Sequence, residues 1–138
     1  MRVWLYSRLS RDDDEEQNSL INQQKIIREY AEKHDFEIIG ESFDDNVSGM
    51  SLSRKGIFEI TDAIEAKLID AIIVKDLSRL GRHETETASY IEYTRKKEIH
   101  IFSVTENIDT LDENNRLIIS VKGIFNDKAN PFAKEVPT

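Results

Sequence analysis

The chain has no cysteine and only two prolines. Without thiols it can form neither disulfides nor thiolate metal sites, which fits a reducing compartment. Both prolines fall in the closing stretch KANPFAKEVPT, where helical periodicity is lost, so helix is expected to end before Pro131. Long apolar runs are also missing. The longest are strand-sized, and Met1 leads directly into Arg2 and a strand, so neither a signal peptide nor a membrane span is expected and the location should be cytoplasmic. Positive charge is in deficit: 19 Lys and Arg face 27 Asp and Glu, a net charge of -8. That balance excludes a domain that holds nucleic acid by phosphate neutralisation alone. Five of the acids sit together in Asp12 to Glu16, however, so the total leaves room for a local basic cluster.

What is present is enough for one domain. At 138 residues, 38% hydrophobic and 33% charged, the chain can bury a single core. Val3 to Tyr6, Phe36 to Phe43, Ala71 to Val74 and Ile99 to Val104 are short runs rich in β-branched and aromatic residues, each the length of a strand. Between them the apolar period is helical. Ser19 is a plausible cap for a helix carrying Leu20, Ile27 and Ala31. Ser53 is the expected cap of a second helix running through Leu68, with Ile57, Ile60, Ile64 and Leu68 at spacings of three and four. A third spans about Glu84 to Lys97. The alternation predicts an α/β fold, a mainly parallel sheet of four or five strands with helices on both faces. After Asp112, a good cap, Leu117, Ile118, Val121, Ile124 and Phe125 form an apolar stripe that Ile119 widens. Such a stripe suits a terminal helix packed on its own domain or one that binds a partner.

Three arginine-bearing segments follow expected strands: YSRLS, DDNVSGMSLSR and KDLSRLGR. In an open α/β sheet the carboxyl ends of the strands are where ligands bind, so these segments should converge. Arg79 and Arg82 are three apart and would point the same way if Gly81 lay in a helical first turn. Arg8 and Arg54 can join them. Guanidinium groups fork two donors onto oxygen atoms, and four of them suit a phosphate better than a neutral metabolite. Ser10 stands between Arg8 and Arg11. A serine facing several guanidiniums can attack a phosphodiester while the cations stabilise the transition state. No base is adjacent to it, and His83 is the one histidine near the expected site. Read singly, these residues are caps, turns and solvated charges; together at one sheet end they are a site. A competing reading is a phospho-accepting receiver module that uses the acids after the first strand and Asp76 with Mg²⁺. A further one is a non-catalytic interaction domain.

YSRLS, NSLINQQ, DDNVSGMSLSRKG and KDLSRLGR, in this order and spacing, resemble the catalytic domain of serine recombinases, the resolvase and invertase family. The VSGMSLSRKG loop and the SRLGR wording look most like the large serine recombinases of transposons and integrating elements. The resemblance spans about residues 2 to 126. It implies a resolvase-like fold and a site-specific recombinase that cuts and rejoins DNA by transesterification. Ser10 matches the nucleophile that forms a 5′-phosphoserine bond, Arg8, Arg79 and Arg82 match the arginines around the phosphate, and Arg54 matches a further one. Gln23 and Ser48 match supporting polar residues, and Tyr6 matches a packing position. Ser78 stands where small resolvases usually carry aspartate, which makes Asp76 a candidate for proton transfer in its place.

The expected organisation is a catalytic domain over 1–127, with its last helix used for oligomerisation, and an irregular or truncated tail over 128–138 without DNA-binding domains. The resemblance implies DNA as the partner, held weakly by this piece alone, and self-association to dimer and tetramer. No cofactor, metal or membrane is expected.

Overall fold

A computed structural model of the chain describes residues 1–10, 19–46 and 54–115. Asp12 to Glu16, Ser48, Ser53, the stripe from Leu117 to Phe125 and the expected boundary after 127 lie outside the described residues.

Strand β1 (Arg2–Leu9) is an interior strand whose apolar side chains point both ways. Val3 and Leu5 join Ile27, Ala31, Ala71 and Ile73 in one core, and Tyr6 joins a second, larger core on the opposite face. Parallel to β1 on one side runs β2 (Glu37–Asp45), and on the other β3 (Ala71–Val74) and then β4 (His100–Ser103). A two-residue strand, β5 (Ile108–Asp109), pairs antiparallel with β4, giving the order β2-β1-β3-β4-β5. All four residues of β3, Ala-Ile-Ile-Val, are buried, the composition a parallel strand covered on both faces requires.

Helix α1 (Leu20–Lys33) covers the smaller core, and Ser19 caps it by accepting the Asn22 N–H at 3.1 Å. Helices α2 (Lys55–Glu65) and α3 (Glu84–Lys96) contribute Ile57, Ile60, Ile64 and Ala88, Ile91 to the larger one. The α/β expectation with helices on both faces therefore holds.

Helix α2 stops three residues short of the expected Leu68. Lys67 takes φ 58, its N–H reaches Ile64 O at 3.0 Å, and the Leu68 N–H reaches Ala63 O at 3.0 Å. This is a Schellman ending, in which Leu68 is the apolar residue beyond the cap rather than another turn of helix. Asp35 after α1 and Glu98 after α3 repeat the arrangement, with φ 56 and φ 59.

The beginning of α2 is also unusual. Arg54 occupies its cap position without a side-chain cap bond. The buried Asp44, on β2, does the capping from outside: its Oδ1 accepts Gly56 N–H at 2.9 Å and its Oδ2 accepts Ile57 N–H at 3.2 Å. Tyr6 Oη adds a third bond to the same carboxylate at 2.8 Å. Burial and the Asp44 charge push the Tyr6 hydroxyl well above its ordinary pKa, so it remains a donor. Glycine is required at 56 because a Cβ there would lie 2.9 Å from the Asp44 carboxylate and from Phe43 O.

Candidate active site

At the carboxyl end of β1, Arg8 enters a lattice of main-chain bonds. Its N–H donates to Gln23 Oε1 at 3.1 Å, and Gln23 Nε2 donates to Arg8 O at 2.9 Å. Gln23 is fully buried on α1, and its amide matches a peptide group's donor and acceptor, so it extends the strand's pairing where strand neighbours run out. The Arg8 guanidinium crosses to the segment after β3, donating to Arg79 O at 3.1 Å and Ser78 O at 2.8 Å. Arg79 returns the contact, with Nη1 donating to Arg8 O at 2.9 Å. Both arginines are almost completely buried, at 8% and 4% exposure.

The segment bearing Arg79 is a short 3₁₀ helix, Leu77–Leu80, capped by Asp76. Asp76 accepts the Ser78 N–H at 3.1 Å and the Ser78 hydroxyl, and its other oxygen accepts Arg79 Nε at 3.3 Å and Nη2 at 3.2 Å. Glu106, from the turn between β4 and β5, fixes the same segment by accepting the Leu77 N–H at 2.9 Å and the Ser103 hydroxyl at 2.7 Å.

Gly81 is not helical. It is extended, at φ -157 and ψ 165, so the three-residue spacing does not align Arg79 with Arg82. Arg79 turns inward, whereas the Arg82 side chain is 45% exposed. The reason is the close approach of α3, where a Cβ on residue 81 would stand 2.5 Å from Thr87 N. Glu86, in the first turn of α3, then accepts the Arg82 N–H at 2.9 Å, pairs with Arg82 Nη2 at 3.5 Å and pairs with Arg54 Nη1. Burial pushes the Glu86 carboxyl up, but the Arg82 amide and the two guanidiniums outweigh it and hold the group below its ordinary pKa. His83 caps α3, its Nδ1 accepting the Glu86 N–H at 3.3 Å. That nitrogen is therefore unprotonated in this arrangement.

An open cleft of about 530 Å³ lies at this end of the sheet, lined by Arg8, Asp76, Ser78, Arg82, His83 and Glu106 among others. Ser10, half-buried, follows β1 directly, two residues beyond Arg8. The structure thus gathers Arg8, Gln23, Arg79 and the end of β1 tightly, and links Arg54 to Arg82 through Glu86. Ser48 lies outside the described residues.

The family described as Resolvase, N terminal domain, matches residues 3–135. The chain belongs to the resolvase family. The structure is similar to the N-terminal catalytic domain of TP901-1 integrase, at 25% identity and a TM-score of 0.75 over 100% of both chains. It also resembles a resolvase family site-specific recombinase from Streptococcus pneumoniae, at 27% identity and a TM-score of 0.73, covering 89% of this chain and 83% of that one. The C-terminal catalytic domain of ISC1926 TnpA, an IS607-like serine recombinase, shares the fold at 22% identity and a TM-score of 0.62, over 93% and 84% of the two chains. This resolvase-family chain is a serine recombinase catalytic domain with site-specific recombinase function, and the receiver and non-catalytic readings are not favoured.

Asp44, Glu86 and Glu106 were not singled out by sequence reasoning as organisers of the site. A signal existed for Glu86: an acid three residues after a capping residue is the capping-box spacing, although here the cap is histidine. Neither Asp44 nor Glu106 carries a comparable local signal, because each acts on a distant segment.

Proposed function

We propose that Ser10 is the nucleophile of this recombinase and that Arg8, Arg79, Arg82 and Arg54 form the cationic surroundings of the scissile phosphate, supported by Gln23 and Ser48. In the first step the Ser10 Oγ bonds to phosphorus, the bond from phosphorus to the 3′ oxygen breaks, and the Ser10 proton leaves to a base. The departing 3′ oxygen takes up a proton. The product is a 5′-phosphoserine link and a free 3′-hydroxyl. Reversal on a new 3′ end rejoins the strand, and no nucleotide is needed because the phosphoester energy is kept in the serine link. Guanidiniums supply charge where it develops on the phosphoryl oxygens and the leaving group. The observation that carries this reading is the reciprocal lock of Arg8, two residues from Ser10, with Arg79 at the carboxyl end of the interior strand β1.

DNA is the substrate, and copies of the chain assemble on it as dimers and tetramers to cut and exchange strands. A net charge of -8 opposes duplex binding, so affinity must come mainly from elsewhere.

The test tethers the whole chain to a sequence-specific DNA-binding module and offers a nicked suicide duplex bearing the matching sites. Wild type should form a covalent adduct that peptide mapping places on Ser10. Ser10→Ala should bind the same DNA and form none. Adduct at wild-type levels in that variant would overturn the assignment.

A further inference from the structure

The four arginines fall into two pairs held in different ways. Arg8 and Arg79 are fixed by neutral carbonyls, with Asp76 as the ion-pair partner of Arg79. Arg54 and Arg82 come from separate segments, one before α2 and one before α3, and among the described residues both pair with a single carboxylate, Glu86. The geometry points to Glu86 as a positioning residue that sets Arg54 and Arg82 in place for the phosphate, an inference that rests on the recombinase reading above.

Its own placement is secure. Glu86 sits in the first turn of α3, its N–H is taken by His83 Nδ1 at 3.3 Å, and its carboxylate is only 21% exposed. A carboxylate so fixed can fix others. It grips Arg82 by the main chain, at 2.9 Å, more firmly than by the guanidinium, at 3.5 Å. Arg82 is therefore anchored at its root while most of its exposed head can turn to an incoming anion lying in the cleft it lines. Arg54 is held by its head instead, which draws the start of α2 towards α3. With the carboxylate gone, two like charges would face each other without an intervening anion and would separate.

The same carboxylate is a negative charge beside a phosphate site, so removing it should not weaken attraction of DNA. Loss of Glu86 is expected to act on the chemical step rather than on binding, which separates positioning from mere charge balance.

The experiment measures single-turnover adduct formation on the suicide duplex, at saturating and limiting DNA, for the tethered chain. Glu86→Ala should lower the saturated rate about tenfold or more while the half-saturating DNA concentration stays equal or falls. Arg54→Ala combined with Glu86→Ala should be no slower than Arg54→Ala alone by more than the remaining Arg82 effect, so the two losses should not multiply. Glu86→Gln, which keeps volume and an acceptor for the Arg82 N–H, should fall between wild type and Glu86→Ala.

A wild-type saturated rate in Glu86→Ala, losses confined to half-saturation, or fully multiplicative losses with Arg54→Ala would each overturn the inference. If Glu86→Ala melts below the assay temperature, Glu86→Gln decides: a reduced saturated rate supports the role and an unchanged one removes it. Adduct formation by Ser10→Ala would instead strike the recombinase reading of the site, and is scored separately.

Discussion

Arg8 and Arg79, 71 residues apart, each donate a side-chain hydrogen bond to the other's main-chain carbonyl, at 3.1 and 2.9 Å. Two like charges are thereby brought side by side in a place where neither is more than 8% exposed. The carbonyl acceptors carry partial charge only and orient the guanidiniums, while Asp76 supplies an ion pair to Arg79. On the proposed reading, a phosphate arriving nearby meets guanidiniums that are already held in place.

Arg79→Lys should break this arrangement. Arg79 uses Nη1 for Arg8 O and both Nε and Nη2 for Asp76, whereas an ammonium is a single point on a flexible stem. We expect a stability loss of about 1–3 kcal/mol from the charge-assisted hydrogen bonds that this buried side chain gives up. The adduct-forming rate should fall by roughly 100-fold or more, comparable to losing one oxyanion donor. Urea unfolding and the suicide-duplex assay measure the two effects, and a lysine variant with wild-type rate would show that the fork is dispensable.

Asp44 should prove to be a stability residue. Asp44→Ala strands two amide N–H groups at the start of α2 and the buried Tyr6 hydroxyl, at an expected cost of about 3 kcal/mol or more. Asp44→Asn retains one acceptor oxygen and should lose less. If thermal melting showed Asp44→Ala as stable as wild type, the external cap would carry no weight in α2.

Acid should loosen the start of the sheet. Hydrogen bonds from Arg2 hold the Asp70 carboxyl below its ordinary pKa, joining the beginning of β1 to the residue before β3. A carboxyl depressed in the folded state binds its proton more readily when unfolded, so the contribution is complete above the ordinary carboxylate pKa. It disappears as pH falls through the lower folded value. Both side chains are 43% exposed, so screening limits the gain to about 1 kcal/mol or less. Asp70→Asn should flatten this part of the acid limb in denaturation curves taken across that range, and should match wild type at the lowest pH. An equal difference between the two proteins at every pH would show that the ion pair is not the source.

Where side chains obey one local rule, the sequence was a good guide. The fully apolar β3 and the Ser19 cap of α1 needed no tertiary information. Reading failed where a distant partner changed a residue's meaning. Strand β1 continues past Tyr6 to Leu9, because Arg8 stays in the strand with its main chain paired to the Gln23 amide. A buried arginine looks like a loop residue until that amide is known. Leu68 keeps the helical spacing of Ile64 yet lies beyond the helix, since a Schellman ending also places an apolar residue there. Strand β5, two residues long, has no period to detect. The arginines of the site were legible by type and by sheet end, but their partners were not. Glu106 reads as an ordinary surface acid until folding brings Leu77 to it, and Glu86 shows its capping spacing but not its pairing with Arg54, 32 residues away.

The strand order has a mechanical meaning under the proposed attachment of DNA to Ser10. Strand β1 is flanked by β2 through eight residue pairings and by β3 through three, all parallel. A pull on Ser10 runs along β1 and loads both ladders sideways, so many hydrogen bonds must slip together before any one can part. The same pull on the two-residue edge strand β5 would meet one short ladder. With the proposed attachment point directly after an interior strand, the DNA tether would resist tension by shear, and a broken duplex end could be drawn through exchange without unravelling its anchor.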